Sequence, residues 1–450
     1  MLIERNKILV DSIKRLLRRG ATTNLSKIVN KTHAADLSVV FGSLSIESQR
    51  KLFAMIKDIE QKGILLSELD GSNVRAFIEG MPVEEVVKIL KPMGADDVAS
   101  LIGILPDNIS GAILEKMTKE DSEEVAELLS YGEDTAGGIM IPDFISLKEN
   151  LTAKEAIETF QREYLDVEMA FYLYVVDEYD RLVGVSSLRQ LVVVPPETRL
   201  AEFMTTDIFS VGTEVDQEEV AKIVARYDIL AVPVVDDQNR LVGIVTVDDI
   251  IDIIRDEATE DMLKMAGAGE EFVETQTVLR STRIRLPWLF ASCIGGIFAF
   301  FIIGAFEETL SKYAYLAAFI PVIMGMGGNI GTQSSTIVVR GLATGRIVIR
   351  DLVNVVLKEL TIGFILGAVY GILLGVVAVA RFGSLALAFS VGSAVLSSMS
   401  VAALVGSLVP MVMARLHIDP AVATGPFVTT SIDIISVYCY FRIATALLGI

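Results

Sequence analysis

One acidic residue lies inside the apolar C-terminal part of the chain. Asp433 is the only carboxylate between Asp419 and the C-terminus. Hydroxyl groups precede it within about one helical turn, at Thr429, Thr430 and Ser431. A charged side chain at the centre of a membrane helix costs roughly 2.5–3.5 kcal/mol on insertion scales and usually faces a cavity or an ion path. Since carboxylate and hydroxyl oxygens bind hard cations, the pattern predicts a cation site at Asp433. The alternative is a protonated, hydrogen-bonded structural Asp.

A glycine-rich stretch, IPVIMGMGGNIGTQSS from Ile320, is the second feature with ion chemistry. Pro321 and four glycines fall within eleven residues. Backbone groups exposed at membrane depth occur only where they are buried in protein or face water, so this stretch can bring carbonyl groups and Gln333 to a hydrated path. The residues predicted to line the path are Gly325, Gly328, Asn329, Thr429 and Thr430. Close glycine-mediated helix packing is the alternative.

A third feature is an acidic helix in the sequence DDIIDIIRDEATEDMLKM from Asp248. Its carboxylates recur at helical spacing along one side, at Asp252, Asp256, Glu257, Glu260 and Asp261. A helix this acidic repels itself unless cations or basic partners lie nearby. A solvated helix face is the other interpretation.

Charge and hydropathy divide the chain into two parts. Hydrophobic residues make up 52% and the mean hydropathy is +0.53, which is too apolar for an ordinary soluble protein. From Leu286 onward there are 8 Lys and Arg and 6 Asp and Glu, a net charge of +2; the total of −19 therefore leaves −21 on the first 285 residues. This acidic excess argues against nucleic acid as a partner and favours cations.

Five apolar segments are long enough to cross a membrane, for which about 20 residues are needed. They are residues 286–306, 313–339, 361–380, 385–414 and 420–450. Arg280, Arg283 and Arg285 precede the first segment, so the positive-inside rule places the acidic part in the cytoplasm. We therefore expect a multi-pass protein of the cell inner (cytoplasmic) membrane, with a cytoplasmic N-terminus and a C-terminus outside.

The N-terminal region, to about residue 131, has apolar positions at helical spacing interrupted by glycines and prolines. This pattern predicts a domain of short stacked helices. His33 has no Cys or second His nearby, which favours a structural histidine over a metal ligand. Asp96 and Asp97, by spacing alone, begin a helix.

An internal repeat follows. YVVDEYDRLVGVSSLRQL from Tyr174 matches PVVDDQNRLVGIVTVDDI from Pro233 at an offset of 59 residues. Each copy is predicted to form a strand, a polar turn, a strand and a helix, and the pair resembles the CBS domain pair, a regulatory module that often binds adenine nucleotides. The nucleotide motif of that family is intact in the second copy, at Gly243, Thr246 and Asp249. In the first copy Gln190, an uncharged and weaker acceptor, replaces the acid, which puts nucleotide binding there in doubt.

The order of parts resembles the MgtE family of magnesium channels. The most specific fragments are YGEDTAGGIM, PVVDDQNRLVGIVTVDD, PVIMGMGGNIGTQSS and DPAVATGPFVTTSID, and the resemblance runs from about His33 to the end. It implies a multi-domain α-rich membrane protein, with a helical N-domain (1–135), an α/β tandem CBS pair (136–200 and 201–258), an acidic connecting helix (259–285) and a five-helix transmembrane domain (286–450). It also implies a homodimer whose pore lies between the subunits, with Asp433 of each chain near the selective site.

The resemblance further implies cytosolic magnesium sites that close the channel when internal Mg²⁺ is high. Asp96 of the N-domain would face Asp249 of the second CBS copy. Further sites involving the connecting helix would use Asp216, Glu218, Asp228, Asp252, Glu257, Glu260 and Asp261. Ser100 and Ile64 stand where acids are expected from the resemblance, so the N-domain site is expected to be weaker or differently built. Mg²⁺ is then both substrate and regulator, and ATP or another adenine nucleotide is a candidate ligand of the CBS pair.

Two other function classes stay open on the sequence. An intramembrane aspartyl protease needs paired carboxylates, and only Asp433 lies deep in a predicted crossing. A nucleotide-sensing receptor without transport would use the CBS pair alone. With two histidines the chain offers no Ser/His/Asp or Cys/His constellation, and we expect it not to be an enzyme.

Overall fold

The chain forms two compact units, Met1–Ile254 and Arg255–Ile450. The computed structural model describes residues 2–69, 71–163, 172–268 and 278–448. Residues 269–277 of the predicted connecting helix therefore lie outside the described residues.

Short helices build the beginning of the first unit. Among the described residues they are α1 (Leu2–Arg18), α2 (Thr22–Val29), α3 (Ala34–Gly42), α4 (Ile46–Phe53), α5 (Ile59–Ser67), α6 (Gly71–Ile78), α7 (Val83–Leu90), α8 (Ala95–Gly103), α9 (Asp107–Lys116) and α10 (Lys119–Leu128). Their apolar faces share one core, in which Phe53 and Phe77 are buried with ring centroids 5.1 Å apart. His33 caps α3, because its Nδ1 accepts a hydrogen bond from the Ala35 amide at 3.3 Å.

The two sequence repeats fold alike. The first copy contains β1 (Ser146–Lys148), α11 (Ala153–Glu163), β2 (Tyr172–Val176), β3 (Leu182–Ser187), α12 (Leu188–Val193) and α13 (Leu200–Phe203); the second contains β4 (Val211–Gly212), α14 (Gln217–Tyr227), β5 (Ala231–Val235), β6 (Leu241–Thr246) and α15 (Val247–Met265). In each three-stranded sheet the first strand is parallel to the second and the second is antiparallel to the third. The 59-residue repeat read from the sequence is therefore a structural repeat.

The polar turns of the two copies bind each other. The Leu182 amide donates to the Asn239 carbonyl at 3.0 Å, and the Leu241 amide donates to the Asp180 carbonyl at 3.2 Å. Asp180 and Asn239 both adopt positive φ, 62° and 61°, a conformation that Asn and Asp tolerate better than most residues. The two turns thus meet through reciprocal contacts.

The second unit contains five helices long and apolar enough to cross a membrane, counted over the described residues. They are α16 (Val278–Ala305), α18 (Ile320–Ala343), α19 (Leu352–Phe382), α20 (Leu385–Arg415) and α22 (Pro426–Leu448); the short helices α17 (Glu307–Lys312) and α21 (Pro420–Thr424) lie between them. Together with the N-terminal helices and the α/β pair, these helices confirm the predicted fold class.

Four of the five spans differ from their predicted bounds by more than one residue. The first begins at Val278 rather than at residue 286, and the second ends at Ala343 rather than at residue 339. The third begins at Leu352 rather than at residue 361, because Lys358 and Glu359 continue the helix instead of ending it. The predicted fifth segment is broken at Gly425 into α21 and α22. Pro426 lacks a backbone N–H and therefore favours the first position of a new helix.

Candidate ion-binding sites

Asp433 lies on α22 and is half-buried. Within the described part of the chain, no hydrogen bond or ion pair reaches its carboxylate. Gly328 of α18 lies close to Asp433, since a Cβ added at Gly328 would lie 3.9 Å from the Asp433 Oδ1 atom. A half-exposed carboxylate without a protein partner, set beside the backbone of a second membrane helix, can accept a cation from the solvent side.

The exposed face of α18 is polar along its middle. Asn329, Thr332 and Gln333 are exposed, as is Gly325 one turn earlier. Among the described residues, no atom beyond the adjacent backbone of α18 lies within 4 Å of a Cβ built at Gly325. Polar groups and bare backbone at membrane depth require water or another protein surface rather than lipid, so this face fits a hydrated path. We call it the polar face of α18.

The opposite face of α18 is packed through glycine. A Cβ at Gly327 would lie 2.8 Å from the Ser436 hydroxyl, and one at Gly331 would overlap the Ile432 side chain. Gly406 of α20 in turn lies against the Gly331 backbone. Gly327 and Gly331 therefore serve close packing, whereas Gly325 and Gly328 leave backbone open. The hydrated path along this open backbone stays a prediction.

The hydroxyl groups before Asp433 donate within their own helix region. Thr429 donates weakly to the Pro426 carbonyl at 3.3 Å, and Ser431 donates to the Phe427 carbonyl at 2.8 Å. The Thr430 methyl group packs against Gly295 of α16. Their oxygens keep lone pairs for a cation, but no hydrogen bond joins them to Asp433.

A second group of carboxylates lies in the first unit around Asp249, at the first turn of α15. Burial raises the pKa of Asp249 to about 6; a hydrogen bond from Thr246 opposes the rise, and the charges of Asp248, Asp96 and Asp252 add to it. The Thr246 hydroxyl donates to the Asp249 carboxylate at 2.8 Å. The fold thus brings Asp96, in the first turn of α8, within electrostatic reach of Asp249. We call Asp96, Asp248, Asp249 and Asp252 the cytosolic acidic cluster.

The side chains of the cytosolic acidic cluster are not arranged as a complete metal site. Over the described ranges, no group of three or more His, Cys, Asp or Glu side chains is arranged to hold a metal ion. Asp96 and Asp97 lie in the first turn of α8, which agrees with the helix start predicted from spacing. A cation would have to draw the carboxylates together, and neutralising their mutual repulsion would favour that movement.

The raised pKa of Asp249 predicts that the stability of the first unit depends on pH in metal-free buffer. Because its folded pKa is about 6, above the usual value of 3.8, its ionisation has no cost below about pH 4, and the cost grows to roughly 3 kcal/mol above pH 6. Asp249→Asn should therefore be more stable than the unsubstituted chain at pH 8 and equally stable at pH 4. Hydrogen exchange of the β6 and α15 amides measures the difference, and a difference independent of pH would contradict the expectation.

The other predicted cytosolic ligands are distributed along two helices. Asp216 caps α14 by accepting from the Glu218 amide at 2.8 Å, and Glu218 pairs with Lys222 at 3.1 Å. Asp228 ends the same helix in a left-handed conformation, φ 51°. The two ends of this 11-residue helix are about 16 Å apart, so a single ion cannot bind Asp216 and Asp228 of one chain.

Glu260, near the end of α15, belongs to an ion-pair network. Lys264 pairs with Glu260 on its own helix and with Asp419, just before α21, at 2.8 Å. Burial on its own lowers the pKa of Lys264, but hydrogen bonds to Asp419 and Glu260 raise it overall, so Lys264 is a permanent cation here. Glu257 and Asp261 lie on the same helix. Sequence reasoning missed this network, because Lys264 and Asp419 are far apart in the chain.

The predicted nucleotide motif has structural roles in both copies. A Cβ at Gly243 would meet the Met140 side chain, and one at Gly184 of the first copy would meet Met204. Gln190 of the first copy forms a capping box with Ser187 at the start of α12. The motif glycines therefore allow close packing, and the motif's Asp249 already accepts the Thr246 hydrogen bond.

Glu359 corrects one expectation from the sequence. Asp433 was expected to be the only carboxylate deep in a crossing, but Glu359 on α19 is 4% exposed. The Ser334 hydroxyl of α18 donates to its carboxylate at 2.8 Å. Its position between Val356 and Gly363, all on the buried face of α19, is the helical spacing that could have revealed it.

Stretches of the chain match known families. Residues 32–134 match the MgtE intracellular N domain, residues 136–198 and 200–256 match the CBS domain, and residues 320–443 match the MgtE family described as a divalent cation transporter.

Similarity to individual proteins extends over nearly the whole chain. Magnesium transporter MgtE of Bacillus subtilis (strain 168) is 33% identical over 432 residues, covering 96% of this chain and 95% of the relative. Magnesium transporter MgtE of Thermus thermophilus is 34% identical over 444 residues, covering 97% and 98%. The crystal structure of the cytosolic domain of the Mg²⁺ channel MgtE in complex with ATP matches with a TM-score of 0.51 at 34% identity, covering 54% of this chain and 99% of that one.

Proposed function

Because this chain belongs to the MgtE family of divalent cation transporters, we propose that it carries Mg²⁺ across the cytoplasmic membrane along a path that includes Asp433. It is a multi-pass membrane protein. The observation that supports this path most directly is the Asp433 carboxylate, which has no protein partner and lies beside the open backbone of Gly328. Mg²⁺ dehydrates reluctantly and usually keeps several waters, so a sparse set of carboxylate and backbone oxygens suits a hydrated ion.

The path is proposed to form between two copies of the chain. The polar face of α18 is exposed in the single chain and needs a polar partner at membrane depth. A homodimer would place two such faces, and two Asp433 side chains, around a common axis. Two negative charges attract a divalent ion more strongly than a monovalent one.

Orientation follows from the basic residues flanking the spans. Arg280, Arg283 and Arg285 lie in the first turns of α16, and Arg346 and Arg350 follow α18. By the positive-inside rule these ends are cytoplasmic, which leaves the N-terminus inside and the C-terminus outside in the inner membrane. The acidic first unit then contacts cytosolic Mg²⁺.

Cytosolic Mg²⁺ is proposed to close the path. Like charges about 4 Å apart repel by roughly 4 kcal/mol at an effective dielectric constant of 20, and the cytosolic acidic cluster contains four carboxylates. Bound Mg²⁺ would neutralise them and favour the conformation in which they are close. This is feedback by differential binding to two states.

The end of α15 is in a position to transmit this change to α22. The Gly425 backbone faces the carbonyls of Lys264 and Met265, and a Cβ at Gly267 would lie 3.2 Å from Pro426, the first residue of α22. The Lys264–Asp419 ion pair lies at the same place, with the two side chains 26% and 36% exposed. Movement of α15 would therefore act on the start of the helix that carries Asp433.

Lys264→Met should weaken this connection and make closure harder. We expect the internal Mg²⁺ concentration at which half of the channels are closed to rise about fivefold. This factor corresponds to the lower end of typical coupling free energies. Patch recording at stepped internal Mg²⁺ measures it. Lys264→Arg keeps the charge and should behave like the unsubstituted chain, and Lys51→Met, which removes an exposed pair with Glu47 in α4, is the matched control. An unchanged half-closing concentration in Lys264→Met would refute the connection.

A nucleotide is proposed as a second regulator at the CBS pair. The similar cytosolic domain of an MgtE Mg²⁺ channel was crystallised in complex with ATP. The corresponding motif residues in this chain are Gly243, Thr246 and Asp249. Since Asp249 also belongs to the cytosolic acidic cluster, we expect nucleotide and Mg²⁺ to influence each other's binding. Calorimetric titration of ATP, with and without Mg²⁺, tests this coupling.

The arrangement of the buried carboxylates favours transport over proteolysis. Ser334, the partner of Glu359, is six residues from Gly328, the neighbour of Asp433, which is about 9 Å along α18. The two carboxyl groups therefore lie beside different turns of α18 and do not form a shared acid–base pair, and we propose that the chain is not an enzyme. Mg²⁺ flux into vesicles containing the purified chain is the deciding experiment; absence of flux at low internal Mg²⁺ would overturn the proposed function.

A further inference from the structure

Glu359 is a buried ionisable side chain that the proposed ion path does not use. It is 4% exposed, on the face of α19 that also carries the buried residues Val356, Gly363 and Gly367. Its neighbour Lys358 is exposed. An ionisable residue inside a membrane bundle is expensive and is found where it has a specific partner. The partner here is Ser334 of α18, whose hydroxyl donates to Glu359 Oε2 at 2.8 Å.

The packed face of α18 combines apolar side chains, such as Ile323 and Ile330, with bare glycine backbone. Gly327 and Gly331 contact α20 and α22 through bare backbone, and glycine contacts are close but not directional. Ser398 and Ser436 hydrogen-bond to each other at 2.7 Å rather than to α18. The hydrogen bond from Ser334 to Glu359 is directional, and it lies on the turn that follows Gly331.

Ser334 is next to Gln333, a residue of the polar face of α18. A rotation of α18 that moved Ser334 would therefore move Gln333 and Asn329 by the same angle. It would also change the approach of Gly328 to Asp433, where a Cβ built at Gly328 would lie 3.9 Å from the Asp433 Oδ1 atom. The orientation of the α18 residues along the proposed path thus depends on the hydrogen bond that holds Ser334.

We infer that Glu359 is a positioning residue for ion selection: its carboxylate holds Ser334 and thereby fixes the rotation of α18 that presents Asn329 and Gln333 beside Asp433. This inference rests on the proposed function. Glu359 acts through Ser334 and does not contact the ion, because its carboxylate is buried on the side of α18 away from the polar face.

Substitutions that separate the hydrogen bond from the charge test this role. Glu359→Gln keeps an oxygen that accepts from Ser334, whereas Glu359→Leu and Ser334→Ala remove the bond from either side. We expect Glu359→Leu and Ser334→Ala each to lower the ratio of Mg²⁺ to Ca²⁺ flux about tenfold, within the range of coupling between contacting residues. Glu359→Gln should keep the ratio, and the double variant Glu359→Leu/Ser334→Ala should be no worse than either single one.

The flux ratio distinguishes positioning from a general loss of folded protein, since fewer folded channels lower both fluxes equally. Thr361→Val is the matched control on α19, because the Thr361 hydroxyl donates to Leu357 of its own helix. Thiol labelling of Asn329→Cys, in a background with Cys293 and Cys439 replaced by Ser, follows the orientation of the polar face directly and should fall in Glu359→Leu.

The results of these experiments distinguish failure of the positioning role from failure of the proposed function. If Ser334→Ala and Glu359→Leu transport Mg²⁺ and Ca²⁺ in the original ratio, the positioning role is wrong although the proposed function stands. If Glu359→Gln loses selectivity as Glu359→Leu does, the charge and not the hydrogen bond matters, and the inference is again overturned. If the unsubstituted chain carries no Mg²⁺, the proposed function itself fails.

Discussion

Asp433→Ala is expected to abolish Mg²⁺ flux while the protein still folds. The carboxylate lies half-buried at membrane depth without a protein partner, so it contributes little to packing and its charge is available to the passing ion. Removing one partner of a buried ionic contact costs about 3–5 kcal/mol, which corresponds to a loss of flux of at least about 100-fold. The measurement is Mg²⁺ uptake into vesicles with the purified variant. Asp433→Asn, which keeps an oxygen but not the charge, should show residual flux with poorer discrimination against monovalent ions.

Asp351→Ala is the matched control for Asp433. Asp351 is an exposed carboxylate in the turn before α19 and should transport normally. Circular dichroism and the oligomeric state in detergent establish whether Asp433→Ala is folded. Undiminished uptake by a folded Asp433→Ala protein would show that the ion path does not include this residue.

Asp249→Ala is expected to leave the channel open at high internal Mg²⁺. Asp249 is a half-buried member of the cytosolic acidic cluster, and burial and neighbouring charges oppose its ionisation, so neutralisation by Mg²⁺ should have a large effect there. We expect the half-closing internal Mg²⁺ concentration to rise at least about fivefold.

Because the pKa of Asp249 is about 6, protons compete with Mg²⁺ below that pH, and closure of the unsubstituted channel should need more Mg²⁺ at pH 5.5 than at pH 7.5.

Asp237→Ala provides the control for Asp249. Asp237 is an exposed acid in the turn between β5 and β6 of the same repeat, so it removes equal charge from the same domain without touching the cluster. Normal closure of Asp249→Ala in patch recordings would show that Mg²⁺ feedback uses other carboxylates. A pH dependence that persists unchanged in Asp249→Ala would show that another group titrates.

Local sequence patterns predicted most of the architecture. The 59-residue repeat, with its Asp177 and Asp236 turns, predicted two equivalent α/β copies, because strand alternation and turn residues act over a few positions. Asp433 stood out because a lone acid in an apolar helix needs no knowledge of its neighbours to be noticed. The predicted third segment starts at residue 361, after the charged residues Lys358 and Glu359, whereas α19 begins at Leu352 and continues through them.

The sequence by itself determined the number of spans, the paired repeat, the charge asymmetry and the candidate residue Asp433. All of these depend on hydropathy, charge and spacing along the chain. Only the tertiary structure decided which glycines of α18 pack and which stay open, that Lys264 pairs with Asp419, and that Glu359 holds Ser334. Those facts depend on which helix faces meet, and residues of different helices are brought together by packing and not by their order in the chain.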